Sequence, residues 1–222
     1  MSDIALVCGS AGSLGQALVA AFLERGDRVV AVERTPVESD TVGVVTEAVD
    51  LTSPDEVEAL WERLDARGER PRWVVNAVGG FRSATLAATE PEEFRLLVDV
   101  NLATTIWSCR AAARRLGEGC AILNVGSRSA FEGGAGAAVY SVTKAAVARL
   151  TEVLADELSK QKIRVNAILP SVIDTPANRA SMSAEALRNA VPPAQIAAVA
   201  GFLLSDAAAP ITGAVLPVYG WA

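Results

Sequence analysis

The chain contains no histidine. That absence removes Ser-His-Asp and Cys-His arrangements and every histidine-ligated metal site, so acid–base chemistry must fall to Tyr, Lys, Asp or Glu. Cysteine is scarce. Cys8, Cys109 and Cys120 show neither pairing nor metal-like spacing, which reads as reduced interior residues of a cytoplasmic protein with no metal site. No apolar run reaches the roughly 18 residues of a membrane span. The short apolar stretch before the first glycines follows Asp3 and does not read as a signal peptide. Positive charge is in deficit, with a formal net charge of −6. That balance argues against a groove for a nucleic-acid backbone. No linker, repeat or low-complexity stretch divides the chain.

What is present is 222 residues, 51% hydrophobic, enough to bury a substantial core as one domain over residues 1–222. Lysine and tyrosine are rare, yet two of them stand in the run Tyr140-Ser141-Val142-Thr143-Lys144, with Ser127 thirteen residues ahead. On a helix, Tyr140 and Lys144 lie one turn apart on the same face. An ammonium beside a phenol stabilises the phenolate. It brings a group that ordinarily titrates at about 10 nearer neutrality, as a general acid–base requires.

Read in order, Ile4–Cys8 is a short apolar strand that runs into Gly9, Gly12 and Gly15. Residues 16–25 follow with the apolar period of a helix lying on a sheet. Strand, glycine loop and helix together form a setting for a pyrophosphate: the backbone approaches closely and the helix N-terminus offers free N–H groups. The spacing is G-x-x-G-x-x-G rather than the usual G-x-G-x-x-G, so a plain connecting turn remains an alternative. Residues 28–33 read as a second strand ending in Glu33, placed where a carboxylate meets ribose hydroxyls and repels a 2′-phosphate. Arg34 follows, and a guanidinium holds that same phosphate. The balance leans to NAD(H), with NADP(H) open. Further strands are expected at 42–49, 72–77, 121–125 and 164–169. Long helices are expected at 53–67, 91–116, 140–160 and 194–204, and a small one at 184–189. Strands alternating with helices predict an α/β fold, a doubly wound, mostly parallel sheet of Rossmann type with helices on both faces. Ligands in such sheets sit beyond the C-terminal strand ends, where Gly9, Glu33, Asp50, Asn76, Ser127 and Pro170 all fall.

The whole chain resembles the classical short-chain dehydrogenase/reductase family. The resemblance rests on Asp50-Leu51, Asn76-Ala77-Val78-Gly79, Asn101, Ser127, Tyr140 and Lys144, then on Arg164–Pro170, Ile173-Asp174-Thr175-Pro176 and Ile211-Thr212-Gly213. It implies an NAD(P)-dependent oxidoreductase acting on a small carbonyl or alcohol substrate. Tyr140 would exchange the proton, Lys144 would lower its pKa and hold the nicotinamide ribose, Ser127 would bond the substrate oxygen, and Asn101 would support a water relay. Asp50 and Leu51 would flank adenine. Ile173 and Thr175 would contact the nicotinamide side of the cofactor. Gly9, Gly12, Ser13, Leu14, Gly15, Glu33, Arg34, Asn76, Ala77, Val78, Tyr140, Lys144 and Pro170 complete the implied cofactor contacts. Each residue also has a structural alternative: Ser127 as a turn cap, Asn101 as a mid-helix polar group bonded to backbone, Asp50 as a helix cap. The loop departs from the family pattern at Ser13, and Ser171 replaces the usual glycine after Pro170. The loop and the Ala77–Phe81 turn look more like dihydropteridine reductase and its relatives.

Substrate choice is expected in a short lid at about 176–191, with Phe81, Arg82, Arg128, Phe131 and Arg179 as pocket neighbours. A pteridine, a quinone, an acyl thioester and a simple ketone all remain open. Rival readings are a non-catalytic nucleotide sensor on this fold and a purely structural subunit. The family commonly assembles through the two long helices and the last helix and strand, so a homodimer or homotetramer is expected, with residues 214–218 suited to the interface.

Overall fold

The computed structural model describes residues 2–36 and 39–221. Seven strands form one parallel sheet: β1 (Ile4–Cys8), β2 (Arg28–Glu33), β3 (Val44–Ala48), β4 (Trp73–Asn76), β5 (Ala121–Val125), β6 (Arg164–Pro170) and β7 (Val215–Val218). Their spatial order is β3-β2-β1-β4-β5-β6-β7. The central strands are continuous apolar runs because both faces are covered. Ala5, Leu6, Val7 and Cys8 are all buried to within 2% of complete.

Helices α1 (Ser13–Glu24) and α8 (Pro193–Leu203) cover one face. They bury Leu18, Phe22, Ile196 and Leu203 there. Helices α2 (Pro54–Ala66), α4 (Thr104–Arg115) and α5 (Ala138–Glu157) cover the other, with Leu60, Leu64, Ala112 and Leu154 inside. Local signals set the boundaries. The Ser53 hydroxyl accepts from Glu56 N–H at 3.3 Å, Pro54 opens α2, and Gly68 closes it with φ 68°. Strand order reverses between β1 and β4, and the parallel register brings Cys8 level with both Val32 and Asn76. The residues just beyond β1, β2, β4 and β5 therefore meet at one crevice.

Three expectations change. The third strand starts at Val44, after Gly43 turns the chain at φ 89°, and leaves Val42 94% exposed. The long helix expected at 91–116 is α3 (Pro91–Val98) and α4, joined by a π-helical turn, Asp99–Ala103, that carries Asn101. The lid holds two short helices, α6 (Pro176–Ser181) and α7 (Ala184–Leu187). The first was missed although Thr175-Pro176 repeats the Ser-Pro start of α2: Asn178 N–H donates to Thr175 Oγ1 at 3.1 Å. The segment expected to suit an interface forms β7, a sheet edge, with Leu216 exposed. Among the described residues no helix is long and apolar enough to cross a membrane.

Candidate active site

The glycine loop lies at the crevice and is held from beneath. A Cβ on Gly15 would fall 2.0 Å from the Gly9 carbonyl oxygen, so only glycine permits α1 to start under the loop. Gly9 has φ 85° and packs its α-carbon against the backbone of Ala77 and Val78. Gly12 stands at the N-cap of α1 without a side-chain cap, which leaves the first N–H groups of a twelve-residue helix facing the crevice. Ser13 is the first residue of that helix.

Beyond β2 the Glu33 carboxylate is already engaged. Its Oε1 accepts from the Ser10 hydroxyl at 2.9 Å and from Ala11 N–H, which ties the strand end to the loop. Glu33, Arg34, Asp50 and Leu51 line a lobe of about 360 Å³ together with Gly9 and Gly12. Asp50 is held below the usual carboxylate range by hydrogen bonds from the Thr52 hydroxyl and N–H, with a smaller push from the Arg34 charge.

A second lobe of about 670 Å³ continues from the first, and Ala77 and Gly79 line both. Its floor carries Ser127, Tyr140 and Lys144. Ser127 follows the β5 end, where Gly126 N–H donates to the Ile168 carbonyl at 2.8 Å. Its hydroxyl accepts from Ser129 N–H at 3.2 Å and lies close enough to the Tyr140 phenol to favour its ionised form. Capping a turn and facing Tyr140 are therefore one placement. The Phe81 ring stands edge-on to Tyr140 with centroids 5.0 Å apart. Leu14, Pro170, Ile173 and Thr175 line the same lobe.

Two expectations about side chains need correction. The Tyr140 pKa is raised rather than lowered in this structure, by burial, with Ser127 acting the other way. Lys144 Nζ donates to the Val125 carbonyl at 3.0 Å. Burial pushes Lys144 itself down to about 8. Asn76 turns into the interior instead of the cleft. Its Nδ2 donates to Asn124 Oδ1 at 2.8 Å, and its Oδ1 is buried without a partner. Asn101, fully buried, uses its whole carboxamide on one residue: Nδ2 donates to Gly80 O at 3.0 Å and Oδ1 accepts from Gly80 N–H at 2.9 Å. That pairing fixes the turn carrying Phe81. A Cβ on Gly79 would stand 3.1 Å from both Asn101 Oδ1 and Lys144 Nζ, which measures how closely the three converge.

Of the five expected pocket neighbours, Phe81 and Arg128 line the large lobe. Arg82 faces a small adjoining depression, Phe131 is exposed, and Arg179 pairs with Asp174 at 2.5 Å on the surface. Ser171, Asn178, Met182 and Glu132 were missed. Only Glu132 had a local signal, as the acid one helical turn beyond Arg128. Among the described residues no cluster of three Cys, Asp or Glu side chains is arranged to hold a metal.

Known proteins share this architecture and sequence. A family described as Enoyl-(Acyl carrier protein) reductase matches residues 9–220. L-xylulose reductase of Bos taurus is 36% identical, covering 97% of this chain and 94% of its own. Carbonyl reductase family member 4 of Danio rerio is 32% identical over 99% and 98% of the two chains. The structure of 3-ketoacyl-(acyl-carrier-protein) reductase from Brucella melitensis complexed with NADH is 29% identical, with a TM-score of 0.89 over 99% of this chain and 97% of its own. The chain therefore belongs to the short-chain dehydrogenase/reductase family, and is an NAD(P)-dependent enzyme that interconverts a carbonyl and an alcohol.

Proposed function

We propose that Ser127, Tyr140 and Lys144 are the catalytic set of this oxidoreductase, with Asn101 as the residue that positions the turn above them. The observation that carries the reading is the convergence of Ser127, Tyr140 and Lys144 on one lobe that continues into the lobe lined by the glycine loop. The residues present fit a dinucleotide. The uncapped start of α1 and loop residues Gly9, Gly12, Ser13, Leu14 and Gly15 would hold the pyrophosphate. Glu33 and Arg34 would meet the adenosine ribose, and Asp50, Leu51, Ala77 and Val78 the adenine side. Pro170, Ile173, Thr175 and Lys144 would face the nicotinamide side. When bound, that nicotinamide supplies or accepts hydride at its C4 position.

The side chains account for the proton. Burial keeps the Tyr140 phenol protonated at neutral pH, which is the donor state that carbonyl reduction needs. The Ser127 hydroxyl donates to the substrate oxygen and holds it beside Tyr140 Oη. As the alkoxide forms, Oη delivers its proton, and the buried Lys144 ammonium stabilises the phenolate left behind. The expected lowering of the Tyr140 pKa thus belongs to the reacting complex.

NAD(H) is the preferred cofactor in this reading. The Glu33 carboxylate is pinned at the strand end by Ser10 and Ala11, where its charge opposes a 2′-phosphate, and the Arg34 charge falls on Asp50. The reading also takes residues 1–222 as one domain with a lid at about 176–191, and the protein as a cytoplasmic homodimer or homotetramer. Its free cysteines support the compartment, and the exposed Phe202 and Leu216 on α8 and β7 support assembly. The Gly12–Gly15 loop and the Phe81 turn support kinship with dihydropteridine reductase-like members, which makes a quinonoid pteridine a compound to screen. One experiment tests the core of the proposal. Tyr140→Phe abolishes turnover while NADH and NADPH still quench the tryptophans, with NADH binding more tightly. Retained turnover removes Tyr140 from the mechanism, and tighter NADPH binding reverses the cofactor assignment.

A further inference from the structure

The outer half of the large lobe carries groups that the proton chemistry leaves unused. Among the described residues, three charged ones line it: Lys144 on the floor, and Arg128 and Glu132 at the rim. Arg128 Nε donates to Glu132 Oε2 at 2.5 Å, one helical turn away. The Arg128 guanidinium carbon also stands 5.2 Å from the ring centroid of Tyr219, at a cation–π distance. Two contacts from different directions therefore fix the guanidinium plane. Among the described residues, no acceptor engages its terminal nitrogens. The pair stays open to solvent, with side chains 36% and 50% exposed. Arg128 follows Ser127 directly and lines the same lobe. The lobe is also lined by Ser129, Ser171 and Asn178, all uncharged and polar. A Cβ on Gly133 or Gly134 would meet nothing within 4 Å, so the rim has room.

The chemistry of the pair selects among substrates. Its charges cancel, and it offers donors and an acceptor side by side. An alkyl chain laid over it would desolvate both charges and return no hydrogen bond. An anionic group drawn to Arg128 would stand beside the Glu132 carboxylate. A hydroxyl-bearing carbon chain meets both demands, accepting from Arg128 N–H and donating to the Glu132 oxygen in charge-assisted bonds. We propose that Arg128 and Glu132 are specificity-determining residues that read hydroxyl groups beyond the reacting carbon, so that the substrate is a neutral polyhydroxylated carbonyl compound or the matching polyol. This rests on the catalytic assignment of Ser127 and Tyr140 above.

The test is steady-state reduction of three ketones of similar length: a five-carbon ketose, methyl propyl ketone and levulinate. Each is run with the wild-type chain, Arg128→Met and Glu132→Gln, and nucleotide quenching of tryptophan confirms that each variant is folded. The wild type favours the ketose in kcat/KM. Arg128→Met lowers kcat/KM for the ketose by about 10- to 100-fold, chiefly through KM, while methyl propyl ketone changes by less than about threefold. Glu132→Gln lowers the ketose value by about 3- to 10-fold, and stands as the test if Arg128→Met does not fold. Equal losses on ketose and plain ketone would make the pair structural and overturn the proposal. A preference for levulinate that vanishes in Arg128→Met would overturn it in favour of an anion site. Turnover of methyl propyl ketone with no preference for the ketose overturns the proposal and leaves the catalytic reading standing. Turnover of none of the three by wild type overturns both.

Discussion

Replacing Lys144 by Met separates what the ammonium does for catalysis from what it costs the fold. Lys144 is 4% exposed, and burial pushes its pKa from 10.5 down to about 8. A depressed basic pKa means that the folded chain holds this proton less tightly than the unfolded chain. Between pH 8 and 10.5 the unfolded state therefore binds more protons, and wild-type stability rises with pH across that window. Below it the penalty is complete, at about 3 kcal/mol for a displacement of this size. Met keeps the length of the side chain and carries no charge, so it pays no such penalty. The other titrating groups are common to both proteins and cancel in the difference. Unfolding by urea at intervals from pH 7 to 10.5 should show wild type gaining about 3 kcal/mol on Lys144→Met, with a constant gap below pH 7. At pH 7 the variant should be at least as stable as wild type, because the lost bond to Val125 is worth only about 1–3 kcal/mol. It should have no turnover. Stability curves that run parallel, within about 0.5 kcal/mol across the range, would refute the claim that this ammonium is buried at a penalty.

Two further outcomes follow from packing. Gly15→Ala must push backbone off backbone, with the new Cβ 2.0 Å from Gly9 O and 2.7 Å from Ser10 Cα. It should cost about 3 kcal/mol or more and abolish nucleotide quenching, and a wild-type melting temperature would contradict this. Asn124→Ala strands the Asn76 amide that donates to it at 2.8 Å and the Thr151 hydroxyl that accepts from it at 2.9 Å. Chemical denaturation should show a loss of about 2–4 kcal/mol, and a loss under about 1 kcal/mol would mean the cluster relaxes freely.

Much of this protein is legible from local pattern. Apolar runs such as Ala5–Cys8 announce strands covered on both faces, and the Ser53-Pro54 start and Gly68 stop of α2 are read from single residues. Gly9 and Ser127 point to the candidate site, because parallel strands deliver their C-terminal ends to one edge. What escapes that reading depends on contacts between distant parts of the chain. Asn76 looks like a crevice residue by position, yet its amide is claimed by Asn124 on the neighbouring strand. The π-helical turn at Asp99–Ala103 interrupts a pattern that reads as one helix, with the Asn101 carboxamide drawn to Gly80. The Lys144 ammonium and the Tyr140 phenol share a helix face as their spacing requires. Which way each pKa moves follows from depth of burial, which spacing does not contain. Arg128 is a surface arginine until Tyr219, from the far end of the chain, folds against it. Sequence patterning decides which segments become strands and helices, since those preferences act over a few residues. Tertiary packing decides which polar groups are dry, paired or left facing the cleft, since desolvation and hydrogen bonding depend on neighbours that only the fold brings together.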